Sequence, residues 1–382
     1  MMNENTVKSG RENLFLRSRP VLEMAGRHIG EGHPVFVVFE AGPTLDGLDS
    51  AKNLVRLAAE AGADAIKFQI FEPDRTLTDK NQLFSYDVLV DRNTGRTETV
   101  SEPLYDIYCR RYLSRDQWRE VKAFSDQSGL AFFATADSFE DVDFLVEIGC
   151  VSIKIASCDI NHFPLIRYAC REEICLQLDT GNATLGEIEK ALDVMLHEGK
   201  DNVIVHLCPS GYPARLESIH LKSIPTMKQM FNCPVGFSDH SPGWDMDIAA
   251  VALGANLVEK TITTDRTIRS PEHMISLEPR EMSRFIDTVR DIETALGETR
   301  KRLHPQNLSD RTALRRSVYL IENVEKGMRL GDAEVDFMMP GYGIQPDRYE
   351  ELSDARFTAD LPAGKRLEYA DLFILAEGKS TK

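Results

Sequence analysis

The chain reads as an α/β protein, a (β/α)8 barrel followed by a small β-rich domain. Three observations predict this. Eight short β-rich apolar runs alternate with helical segments between residues 35 and 296, the pattern of β-α units closing a barrel. No Gly-x-Gly-x-x-Gly follows the first run, which disfavours an open dinucleotide-binding sheet. Beyond that region the sequence changes to turn glycines and short strands with no long helix.

Val35–Ala41 and Ala65–Ile70 are the first two strands, and between them Ser50–Ala61 places Ala51, Leu54, Val55 and Ala58 at helical spacing. Gly62 follows where a C′ glycine belongs. The next connection, Glu72–Tyr112, is too long for a plain loop and holds a turn-like Asp91-Arg-Asn-Thr-Gly95. Such an excursion is a substrate lid or a mere decoration. Leu130–Ala136 is the third strand, and Phe139–Ile148 with Gly149 is its helix and stop. Ser152–Ser157, Cys175–Thr180, Asn202–Cys208, Val235–His240 and Asn256–Thr263 complete the eight. A helix near Arg280–Leu296 closes the barrel, so residues 1–300 form its domain. Residues 301–314 read as a linker, polar and containing Pro305, and 315–376 as the second domain. There Asn323–Leu330 and Asp360–Leu367 echo each other, each reading as strand, turn, strand. A core this small is marginal alone, so docking on the barrel or on a second subunit is expected. The tail Glu377–Lys382 reads as disordered.

A net charge of −16 over 382 residues disfavours a nucleic-acid or anionic-membrane partner. No apolar run approaches a bilayer span, and Met1–Arg19 is polar without a secretory core. The seven cysteines are irregularly spaced with no Cys-x-x-Cys, as in a reduced cytoplasmic protein.

In a barrel, functional groups gather at the C-terminal strand ends. Those ends carry Glu40, then Lys67 and Gln69, Thr135, Lys154 with Ser157 and Asp159, Asp179 and Thr180, His206, Ser238-Asp239-His240, and Glu259. Lys67 and Lys154 lie within apolar strands, and a lumen lysine is costly to bury alone. They imply either a bound anion or internal carboxylate partners. The hydroxyls of Thr135, Ser157 and Ser238 suit a phosphate or carboxylate, and Lys154 is also open to a Schiff-base role. Glu40, Asp159 and Glu259 are candidate proton carriers. His240 is the best candidate metal ligand. A partner His at the next strand end would complete a pair, and Thr261 stands there.

Several segments together resemble the sialic acid (N-acetylneuraminate) synthase family: Glu40-Ala-Gly, Ala61–Gln69, Lys154-Ile-Ala-Ser157, Thr180–Leu185, Gly236-Phe-Ser-Asp-His240, Ala249–Ala255 and Ser276-Leu-Glu-Pro279. Arg315-Arg-Ser-Val-Tyr319 and Pro340-Gly-Tyr-Gly343 resemble that family's C-terminal antifreeze-like (SAF) domain. The resemblance implies condensation of phosphoenolpyruvate (PEP) with an aldose, commonly an N-acetylated hexosamine, to give a 2-keto-3-deoxy nonulosonic acid and phosphate. It places PEP on Lys67, Gln69, Thr135, Lys154, Ser157 and Ser238, gives proton chemistry to Glu40, Asp159 and Glu259, and sets Tyr212 and Glu272 near the acceptor. It further implies a divalent metal, Mn or Mg, at His240, and a homodimer whose SAF domain caps the partner barrel. The chain departs from the family pattern at Thr44 and Leu45, Asp179, the His206–Pro213 segment, Thr261 and Met339. These changes imply a remodelled acceptor pocket, with His206, Asp179 or Glu259 as substitute metal donors or no metal at all. The alternative is a non-condensing relative: a carbohydrate-binding or regulatory protein, or another barrel lyase.

Overall fold

The computed structural model describes residues 19–374. The N-terminal stretch before Arg19 and the tail Glu377–Lys382, on which expectations were stated above, lie outside them. The chain divides after Gly297 into two compact units.

The first is a closed parallel barrel of eight strands: β1 Phe36–Glu40, β2 Ala65–Ile70, β3 Ala131–Ala136, β4 Ser152–Ile155, β5 Cys175–Asp179, β6 Val203–Leu207, β7 Val235–Asp239 and β8 Leu257–Thr261. Every one falls inside a predicted strand. Closure comes from β8 pairing with β1, Thr261 opposite Glu40. The helix Gly47–Ala61 buries the predicted Ala51, Leu54, Val55 and Ala58, the two larger side chains contributing roughly 1.5–3 kcal/mol each. It stops at Gly62, whose φ of 87° is left-handed. Pro279–Leu296 closes the ring of helices, burying Met282, Phe285, Ile286 and Val289.

Side chains alternate along each strand. Outward residues pack under the helices, while Phe36, Val38, Ala65, Phe133, Ile204 and Leu257 fill the lower lumen. A hairpin that sequence reasoning did not foresee, Val21–Met24 paired with Arg27–Gly30, sets Leu22, Met24 and Ile29 into this cluster and plugs that end of the barrel. The charged residues of the lumen lie toward the opposite end, while Gln177 bonds Ser152 at 3.1 Å and reaches Met24 of the hairpin.

The excursion after β2 is a folded structure. Leu83–Asp91 pairs antiparallel with Arg96–Pro103, the predicted Asp91–Gly95 turn joins them, and the helix Leu104–Arg111 follows. Tyr86, Val88, Val100 and Ile107 form its own small core.

The second unit departs from two expectations. The stretch 301–314 contains a helix, Asn307–Leu314. The two echoing segments do not fold as separate hairpins. They pair with each other, Val324 and Leu361 exchanging both backbone hydrogen bonds at 3.0 Å. Asn323 Oδ1 accepts from the Ala363 N–H at 2.8 Å and Asp360 Oδ1 from the Lys326 N–H at 2.7 Å. The relation is a pseudo-twofold: Val318, Leu320, Val324 and Leu330 of one half match Ala355, Phe357, Leu361 and Leu367 of the other at one constant offset. An isolated short hairpin is marginal in water, and mutual pairing gives both halves one core.

Candidate active site

The upper lumen holds a buried charge cluster. Lys154 on β4 is fully buried. Its Nζ donates to both Glu259 oxygens at 2.7 Å, lies 2.9 Å from Asp179 Oδ2, and is 3.4 Å from Ser238 Oγ. Lys67 on β2 pairs with Glu40 and reaches Glu259 Oε1 at 3.4 Å. Ser238 Oγ donates to that same oxygen at 3.1 Å. Both lysines thus have internal carboxylate partners. Asp179, which alone would repel an anion, shares Lys154 with Glu259.

The protonation of these groups follows from their surroundings. Burial favours the neutral forms, but the charges of Glu259, Glu40 and Asp179 win at Lys67 and raise its pKa. At Glu259 burial acts upward, again toward the neutral form, yet Lys154 and Lys67 hold its carboxyl well below the usual range. Glu40 differs: burial first, with Glu259's charge, outweighs the attraction of Lys67 and raises its pKa. Three carboxylates facing two lysines leave Glu40 as the group best able to carry a proton.

Above the cluster lies a cavity of about 820 Å³. Glu40, Lys67, Gln69, Thr135, Ser157, Asp159, Asp179, Tyr212, Ser238, His240, Glu259 and Glu272 all reach its wall, while Lys154 lies below its floor. Close backbone approach shapes this floor. A Cβ on Gly42 would meet Gln69 N and Glu40 Oε1 at 2.7 Å, and one on Gly181 would meet Ser157 Oγ at 2.7 Å. Instead, the Gly42 N–H donates to Glu40 Oε1 at 2.6 Å and the Gly181 N–H to Ser157 Oγ at 2.9 Å.

His240 is positioned as a neutral ring. Its Nδ1 lies 2.9 Å from the Pro209 carbonyl; a carbonyl only accepts, so Nδ1 carries the hydrogen and Nε2 keeps its lone pair. Burial lowers its pKa to about 4, and Tyr212 packs on it at 4.4 Å between ring centres. The end of β7 that carries Ser238 and His240 is anchored by a third buried lysine. Lys260 pairs with Asp239 and donates to the Ser241 carbonyl at 2.5 Å.

One coordination position is all that His240 offers. Thr261 sits where a second imidazole would be needed. His206 points into the closed lumen, its Nε2 2.8 Å from Gln177 Oε1 and its Nδ1 against Gly236, so it is not a substitute donor. Asp179 and Glu259 are committed to lysines. Among the described residues no group of three His, Cys, Asp or Glu could hold a metal ion, and the donor set does not fit the divalent metal the resemblance implies. His273 bonds Thr263 Oγ1 at 2.7 Å. Trp244 and Met246 pack against the core.

The remodelled positions after β1 leave the cavity altogether. Thr44 donates to the Ile262 carbonyl at 2.6 Å, and Leu45 joins the outer core. Asp137 and Arg111 are among the wall residues that sequence reasoning missed. Asp137 at the end of β3 is pushed up to about 7 by burial and by the charges of Asp159 and Asp141. Arg111 comes from the excursion, which forms a wall with Phe84, Leu104, Ile107 and Tyr108. The signal for Arg111 was present in the sequence: it lies one helical turn after Ile107, on the buried face.

Comparison with known proteins bears on this site. Residues 54–301 match the model of the NeuB family. The chain is 30% identical over 343 residues to the N,N'-diacetyllegionaminic acid synthase of Legionella pneumophila, covering 88% of this chain and 94% of that one. It is 31% identical over 340 residues to a pseudaminic acid synthase of Campylobacter jejuni, covering 88% and 96%. The crystal structure of an N-acetylneuraminic acid synthetase from Leptospira borgpetersenii superposes with a TM-score of 0.66 at 27% identity, covering 77% of this chain and 96% of that one.

Proposed function

The chain belongs to the NeuB family, and on that premise we propose that it condenses PEP with an aldose, forming a 2-keto-3-deoxy nonulosonic acid and releasing phosphate. The observation that supports this most is the lumen cluster, two lysines held between carboxylates with the Thr135, Ser157 and Ser238 hydroxyls around one cavity. The relatives named for legionaminic and pseudaminic acid synthesis support an acceptor of the modified-hexosamine class.

In this reading Lys67 and the three hydroxyls take the PEP anion. Glu259 is a positioning residue that holds both lysines. PEP C3 bonds to the aldehyde carbon, and the aldehyde oxygen takes a proton from Glu40. Water adds at C2 and gives a proton to Asp159, whose carboxyl burial shifts upward. The C2–O bond then breaks, phosphate leaves with the bonding electrons, and the C2 hydroxyl proton passes to the departing phosphate as the ketone forms. Gln69 orients PEP, and Tyr212 and Glu272 face the acceptor. Aldehyde polarisation falls to the proton donor Glu40, because the donors around His240 do not fit a divalent metal.

The C-terminal residues 315–376 are read as an SAF domain, and the chain as a cytoplasmic homodimer in which that domain caps the partner barrel. Light scattering of the intact chain tests the dimer, and a monomer contradicts it. For the reaction, the protein is incubated with PEP and a panel of aldoses. Aldose-dependent release of phosphate with formation of a 2-keto-3-deoxy acid is the expected result. No release across the panel, together with no calorimetric binding of PEP, would instead favour a non-condensing relative.

A further inference from the structure

The excursion after β2 brings into the cavity a charge that no barrel strand supplies. Arg111 is 8% exposed and reaches the cavity that Lys67, Gln69 and Glu272 also line. A guanidinium carries five N–H donors. Among the described residues, the bond Arg111 makes is from Nη2 to the Pro271 carbonyl at 3.3 Å, long for such a bond. Its buried Nε has no partner. Arg115 lines the same cavity with a buried Nη1 that is also unpartnered, while its Nη2 is spent on Asp141. An unsatisfied buried guanidinium is costly, so a fork left open toward a cavity is matched to a group that arrives with a ligand.

The neighbouring backbone supports a binding role. Glu272 holds a φ of 73°, a conformation that L side chains rarely adopt and that concentrates at functional sites. Its carbonyl accepts from Ser276 Oγ at 2.7 Å. Glu272 is influenced by Arg111 on one hand and by Glu40 and Lys67 of the lumen cluster on the other. Arg111 is thus electrostatically continuous with the reacting centre, yet stands on a different wall from the lysine and hydroxyls assigned to PEP.

We propose that Arg111 is a specificity-determining residue and that the acceptor is an anionic aldose, whose phosphoester or carboxylate takes the open fork in a bidentate pair. This deepens the reading of the chain as a PEP-condensing synthase and rests on it for the word acceptor. Calorimetry on the full chain compares N-acetylmannosamine, its 6-phosphate and N-acetylmannosaminuronic acid as probes, with wild type, Arg111→Met and Arg111→Lys. Wild type is expected to bind one of the anionic sugars about tenfold or more tighter than the neutral one, a difference of about 1.4 kcal/mol. The phosphate and carboxylate probes separate the two sources of the anion. Arg111→Met should lose the preference. Arg111→Lys, which keeps the buried charge but not the fork, should keep part of it and remains informative if the Met variant does not fold. Equal binding of all three sugars by wild type overturns the proposal, as does an undiminished preference in a folded Arg111→Met. Anion preference without phosphate release from PEP would support Arg111 and sink the condensation. Phosphate release with neutral sugars alone would do the reverse.

Discussion

At the scale of single residues, the cluster makes proton bookkeeping decisive. PEP adds negative charge beside three carboxylates and two lysines, so its binding is favoured when Glu40 is protonated. Lys67, Glu259, Lys154 and Glu272 are the charged or titratable groups facing Glu40. The raised pKa of Glu40 sets the sign: PEP affinity is greatest below that pKa and falls as pH rises through it. Calorimetry in buffers of different ionisation enthalpy should record net proton uptake on PEP binding, and Glu40→Gln should abolish the uptake while still binding PEP. Wild-type binding with no proton uptake would contradict this. Lys154 makes a stability prediction. Its removal strands Glu259 and Asp179 in the lumen, so Lys154→Ala should cost about 3–5 kcal/mol in chemical denaturation. Glu259, with its depressed pKa, contributes stability above its unfolded pKa that is lost as acid titrates it in the fold. Weakening of that acid transition is therefore expected in the same variant. The lysines, hydroxyls and carboxylates were legible in the sequence because strand alternation fixes which residues share the lumen. Their full pairing was not legible, because Glu259 on β8 meets Lys154 on β4 only across the lumen of the closed barrel.

At the scale of elements, the strands and helices follow from local pattern, and their ends agree with apolar spacing and C′ glycines. The 72–112 excursion was legible as an insertion but not as a hairpin, since its register depends on side chains facing a private core. Its tip is fixed by Arg92, which pairs with Glu278 and Asp265 of the segment after β8. That segment also carries Glu272. Arg92→Ala should therefore raise KM for the acceptor while leaving PEP affinity within about twofold. An equal loss for both substrates would place the hairpin's role elsewhere. The second unit teaches the same lesson: echoing segments signalled a repeat, but the pairing between halves is a tertiary property.

At the scale of the whole molecule, a plugged, apolar lower lumen and a charged upper lumen define one reactive end of the barrel. Thr261, the orientation of His206 and the lysine-bound carboxylates leave His240 as a lone ring. Elemental analysis after exhaustive dialysis should find substoichiometric divalent metal. A full equivalent retained by wild type and lost in His240→Ala would contradict that. The reaction proposed for this site is carbon–carbon bond formation with cleavage of the PEP carbon–oxygen bond. The direct measurement uses PEP labelled with heavy oxygen in the bridge between C2 and phosphorus, turned over with the best aldose, and mass spectrometry of both products. The expected result is labelled inorganic phosphate and an unlabelled C2 oxygen, exchange aside, in a 2-keto-3-deoxy acid. Label retained in pyruvate, with unlabelled phosphate and no condensed acid, would contradict it.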